Sequence, residues 1–107
     1  MFTIKDMSTR FGLTFRALRF YEQKHLIHPE RTDTHKRLYS AEDVARIERI
    51  AKWRAADFTV QEIRQLLSLV DAGNEVEVER IEARITSRNT LRATNLLRAI
   101  ESLREPA

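Results

Sequence analysis

The chain contains no cysteine, so disulfides, iron–sulfur clusters and thiolate metal sites are excluded outright. It holds only two Gly and two Pro in 107 residues, and no polar low-complexity tract or internal repeat is visible. Such a composition reads as helical and folded rather than disordered. No stretch approaches the roughly eighteen apolar residues of a membrane span, and the N-terminus lacks the basic-then-apolar layout of a secretory signal. The expectation is a cytoplasmic protein with no membrane association. Catalytic signatures are missing as well: no Ser/His/Asp set, Gly-rich phosphate loop or paired carboxylates can be picked out, which argues against an enzyme. His25, His28 and His35 are too irregularly spaced to suggest a metal site, and no cofactor is expected.

What is present is charge, at 33% of residues, unevenly spread. Residues 1–70 hold 13 Lys/Arg against 9 Asp/Glu, a balance of +4, and residues 71–107 hold 6 against 7, a balance of −1. A basic N-terminal part permits nucleic-acid binding without proving it. The length suits one small domain, and so small a core leaves room for help from a partner chain.

Helical start signals recur along the chain. Thr3 and Asp6 form a capping box ahead of Ile4, Met7 and Phe11, and Gly12 ends that element. Thr14 caps a second helix from Phe15 to about Lys24, with Leu13 as a staple and Leu18 with Tyr21 or Phe20 as its buried face. Two short helices joined at Gly12 have the spacing of a helix-turn-helix. Residues 28–39, HPERTDTHKRLY, break the helical period and read as a small β-hairpin beside the second helix, with Phe2–Thr3 as a third strand. Ser40 and Asp43 open a third helix through Val44, Ile47, Ile50 and Arg54. Thr59 and Glu62 open a fourth, Val60 to Val70.

After Asp71-Ala-Gly-Asn74 the composition shifts to a long charged helix, about Val76 to Leu103, roughly 40 Å at 1.5 Å per residue. Val78, Ile81, Ile85, Ala93, Leu96, Ile100 and Leu103 fall on one stripe, interrupted by Asn89, while Arg80, Arg84, Arg88 and Arg92 line another. A stripe so narrow suits a coiled-coil seam in which Asn89 fixes register. The competing reading packs this helix on its own domain.

The segments TIKDMSTRFGLTFRALRFYEQKHLI, KRLYSAEDVARIERI and FTVQEIRQLL resemble, in order and spacing, the DNA-binding domain of MerR-family transcription regulators. The resemblance covers residues 2–69. It implies a mainly α fold: a winged helix-turn-helix domain with a second helical pair over residues 1–70, a linker at 71–75, and an antiparallel coiled-coil dimerisation helix over 76–104. It further implies a homodimer on a pseudo-palindromic promoter operator in double-stranded DNA, bending and untwisting it for RNA polymerase. In that frame Arg16 is the leading base-reading residue. Arg19 matches a near-constant family arginine that either meets DNA or pairs internally. Tyr21 offers a hydroxyl to a phosphate while Phe20 belongs to the core. Arg37 and Arg54 match positions on the DNA backbone, Lys36 and Tyr39 complete the wing's share, and Thr14 serves as cap and phosphate contact. Ile81, Ile85, Asn89, Leu96, Ile100 and Leu103 form the dimer seam. His25, His35 and Asp57 stand where the family's turns usually place glycine. Family metal and redox sensors carry cysteines around the dimerisation helix, and this sequence has none; with no effector domain expected after the helix, a constitutive binder, control by abundance or a protein partner, and a small ligand stay open. An architectural or excisionase-like DNA-bending factor is the alternative, although such factors usually lack a long dimerisation helix.

Overall fold

The computed structural model describes residues 1–104 and divides into two compact units, Met1–Ala55 and the chain from Ala56 onward. In the first unit, β1 (Phe2–Thr3) leads into α1 (Ile4–Phe11), and the Thr3–Asp6 capping box is formed in both directions, at 2.8 and 3.1 Å. Gly12 closes α1 in the left-handed region, at φ 65°, where a residue without Cβ carries little penalty. After Thr14, α2 runs Phe15–Gln23. Then come β2 (Glu30–Arg31), β3 (Arg37–Tyr39) and α3 (Ala41–Ala55). The three strands form an antiparallel sheet in the order β1-β3-β2, with Phe2 opposite Tyr39 and Glu30 opposite Leu38. The third strand expected at Phe2–Thr3 is therefore real. Met7, Leu18, Leu26, Ile27, Tyr39, Ile47 and Ile50 supply the fully buried side chains of this unit.

In the second unit, α4 (Val60–Asp71) packs against α5 (Glu75–Arg104). Its buried residues are Phe58, Ile63, Leu66, Leu67, Val78 and Ile85. The expected linker at 71–75 lies inside this unit as a tight turn: Gly73 adopts φ 74°, its N–H reaches Val70 O at 3.0 Å, and Asn74 N–H reaches Leu69 O at 2.9 Å. Asn74 then starts α5, its Oδ1 accepting from Glu77 N–H.

Among the described residues, three non-glycine residues have positive φ: His25 at 60°, His35 at 60° and Asp57 at 64°. These are the positions where the resemblance implies glycine. The left-handed geometry is thus kept with a Cβ present, at a cost of about 1 kcal/mol each.

The expected seam divides. Val78 is fully buried and Ile85 is 6% exposed, both in the core of the second unit. Leu96, Ile100 and Leu103 are exposed. The same stripe therefore packs on α4 in its first half and is exposed in its second. Ile85 is corrected from seam to core, because α4 already covers it. Asn89 is corrected too. Its Nδ2 donates to Ala56 O at 3.0 Å and Asp57 O at 3.3 Å, so the carboxamide anchors the turn before α4.

Candidate nucleic-acid interface

Helix α2 is oriented by its burial. Leu18 is fully buried and Tyr21 is 5% exposed, which turns Arg16, Arg19 and Phe20 toward solvent. The start of the helix is held by Thr14, whose Oγ1 accepts from Ala17 N–H at 3.0 Å. Leu13 and Leu18 stand at the two positions of a hydrophobic staple across that cap. Ser8 Oγ donates to Leu13 O at 2.5 Å, tying α1 to the turn. The first helix thereby braces the second.

Arg16 makes no hydrogen bond or ion pair among the described residues, so its guanidinium is free for an external partner. It lines an open cavity of about 300 Å³ with Thr14, Ala17, Phe20, Tyr21 and Arg54. Burial pushes the Tyr21 phenol above its ordinary range, while Arg54, hydrogen-bonded to it, opposes that shift. Tyr21 is thus a core ring whose hydroxyl holds Arg54 at the edge of the cavity. Phe20 is corrected from core to surface: it is 38% exposed, with its ring at 6.2 Å from Tyr21 and Lys24 Nζ at 5.6 Å from its centre. Helical geometry allows one of the adjacent pair to face inward, and Tyr21 takes that place.

Arg19 donates from Nε to Phe15 O at 3.4 Å, a weak contact along its own helix. The internal ion pair considered from the sequence is not formed among the described residues. Arg19 lines a second open cavity, about 660 Å³, with Glu22, His25, His28, Arg31 and Arg37. Here the wing meets the helix. Arg31 and Arg37, opposite each other in the β2–β3 ladder, both reach Glu22, at 2.7 and 2.6 Å. One carboxylate therefore fixes the hairpin beside α2. Glu22 and Arg31 are functional residues not expected from the sequence, where the one signal is a lone acid on a basic helix. Arg37 is partly committed by this bond, whereas Lys36, at the tip, is exposed and bonds through its backbone to Thr32. Tyr39 is corrected: it is fully buried, and its hydroxyl finds no hydrogen-bond partner among the described residues. That burial raises its phenol pKa, and no side-chain surface is left for a phosphate.

A braced helix with the free guanidinium of Arg16 on its outward face, flanked by a clamped hairpin, defines a winged helix-turn-helix DNA-binding module. A family model described as MerR HTH family regulatory protein matches residues 2–69. The chain is 35% identical over 109 residues to the HTH-type transcriptional regulator CueR of Yersinia pestis, covering 92% of this chain and 78% of that protein. It is 33% identical over 102 residues to HmrR of Rhizobium leguminosarum bv. viciae, covering 95% and 75%. The fold is shared with HiNmlR, a MerR family regulator lacking the sensor domain and bound to promoter DNA (TM-score 0.69, 16% identity, 94% and 78% covered). It is shared also with MtaN, the N-terminus of the Bacillus subtilis multidrug transporter activator (TM-score 0.71, 21% identity, 99% and 100% covered). The chain belongs to the MerR HTH family of DNA-binding transcription regulators. No described helix is long and apolar enough to cross a membrane.

Proposed function

We propose that this chain is a homodimeric regulator that binds a pseudo-palindromic promoter operator and bends and untwists the DNA there, with RNA polymerase as the further partner. The observation that carries the reading is the free guanidinium of Arg16 on the outward face of a helix whose opposite face is core. A guanidinium fork suits the O6/N7 edge of guanine and phosphate alike. Thr14, Arg19, Lys36, Arg37 and Arg54 are assigned to phosphate contacts, and Tyr21 acts through Arg54. Dimerisation is assigned to the exposed second half of α5: Leu96, Ile100 and Leu103, with Leu97 beside them. Ile81, partly exposed, lies on the same stripe.

Two half-site readers joined in one particle bind an operator far more tightly than either alone. Smooth bending costs on the order of 1–6 kcal/mol, offset by cation–phosphate contacts along the bent path. With no cysteine in the sequence, thiolate coordination cannot be the signal this chain responds to. The test is footprinting on the chain's own upstream region together with its solution mass. A dimer protecting an inverted repeat in a promoter spacer is expected. A monomer, or protection confined to a recombination site, overturns the reading.

A further inference from the structure

We propose that Phe15 reads the C5 methyl group of a thymine in each half-site, so that operator choice depends on an apolar contact beside the arginine contacts. This rests on the reading that α2 enters the major groove. Phe15 is the first residue of α2 and is 41% exposed. Its place is rigid: Thr14 O accepts from Leu18 N–H at 3.1 Å and Thr14 Oγ1 from Ala17 N–H, closing the turn that carries the Phe15 Cβ. The inward face of that turn is already taken by Leu18.

The comparison with Phe20 shows what is unusual. Phe20 has Lys24 over its ring and Tyr21 at its edge, whereas the Phe15 ring has no aromatic or cationic partner among the described residues. The Phe15 carbonyl accepts from Arg19 Nε at 3.4 Å. A part-exposed ring without such a partner therefore stands at the start of a helix, with Arg16 next to it and Arg19 one turn on.

In a helix-turn-helix the N-terminal residues of the second helix approach base edges. A phenyl ring can neither donate to nor accept from those edges. The one apolar group the major groove offers in unmodified DNA is the thymine methyl. Arg16 and Phe15 on adjoining positions would then read a guanine and a thymine at neighbouring base pairs.

The test uses the full chain and a duplex recovered with it by selection from random-sequence DNA. Each symmetric pair of thymines is replaced by deoxyuridine, which removes the methyl and leaves the pairing edge unchanged. One symmetric pair should weaken binding by about fourfold per half-site, the equivalent of one buried methyl group. Phe15→Ala should bind the thymine and uracil duplexes equally at that pair while keeping its preference at the Arg16 position, and Phe15→Leu should retain part of the methyl effect. Helicity of both variants by circular dichroism should match the parent, since an exposed first-turn residue carries little of the fold. Failure to recover any preferred sequence overturns the regulator reading and this inference together. A preferred sequence with no methyl-sensitive thymine, with equal sensitivity in Phe15→Ala, or with methyl dependence only where 5-methylcytosine replaces cytosine, overturns this inference alone.

Discussion

Along α2, arginines at 16 and 19 stand beside a buried face of Leu18 and Tyr21; along α5, arginines at 80 and 88 stand beside a buried face of Val78 and Ile85. The ingredients match, and the partners differ. Arg16 and Arg19 meet no carboxylate among the described residues, while Arg80 pairs with Glu77 and Arg88 with Glu62 at 2.6 Å. Summed by unit, residues 1–55 hold 12 Lys/Arg against 7 Asp/Glu, a net +5, and residues 56–107 hold 7 against 9, a net −2. A cation neutralised within its own unit stabilises that unit; one left free is available to an anion outside. The comparison teaches that an arginine ladder signals DNA only where the surrounding acids are missing.

Disrupting the exposed half of α5 should have the largest effect. Leu96→Asp with Ile100→Asp is expected to give a monomer by light scattering and to weaken operator binding on the order of 10²-fold or more, through loss of the linked second half-site. A persistent dimer would place the interface elsewhere. Ile85→Asp makes the contrast sharper, since a charge in the core should lower thermal stability of the second unit whatever the protein concentration.

On α2, Arg16→Ala should cost about 1–3 kcal/mol per half-site on the selected operator and much less on random DNA. Equal losses on both would make Arg16 a phosphate contact. Removing the Asn89 anchor tests the other helix: Asn89→Ala should lower stability by about 1–2 kcal/mol, as two backbone carbonyls lose their donor, with the oligomeric state unchanged. A change in oligomeric state would return Asn89 to the seam.

The α5 ion pair has its own pH signature. Hydrogen bonding from Arg88, reinforced by the capping bonds at Thr59, holds Glu62 down at about 2 from an ordinary 4.5. A depressed carboxylate stabilises the fold above its unfolded pKa, and that contribution is lost as pH falls from about 4.5 toward 2. Denaturant titrations across that window should show a steeper acid loss in the parent than in Arg88→Ala, and identical slopes would deny the pair its role. The smallest effect is expected from Tyr39→Phe. Deleting a buried hydroxyl without a partner should leave operator affinity unchanged and stability equal or higher by up to about 1 kcal/mol. A drop in affinity alone would restore Tyr39 as a contact.

Local rules determined much of this protein from the sequence. Capping boxes at Thr3, Ser40 and Thr59 set three helix starts because their bonds close within four residues. The left-handed turns at His25, His35 and Asp57 were legible only through the resemblance, since these residues stand where the family's turns usually place glycine. Arg16 was legible through the family resemblance, as the leading base-reading position of the second helix. What only tertiary structure decided were the choices between equivalent faces and partners. Phe20 and Tyr21 are adjacent and both aromatic, and packing in the first unit selected Tyr21 for the interior. Glu22 lies nine and fifteen residues from the arginines it holds, a pairing that exists only once the hairpin folds back. The stripe on α5 has one period throughout, yet α4 covers only its first half, because twelve residues of helix cannot reach along thirty. Periodicity specifies a face, and the length of whatever packs against it decides how much of that face is left for another molecule.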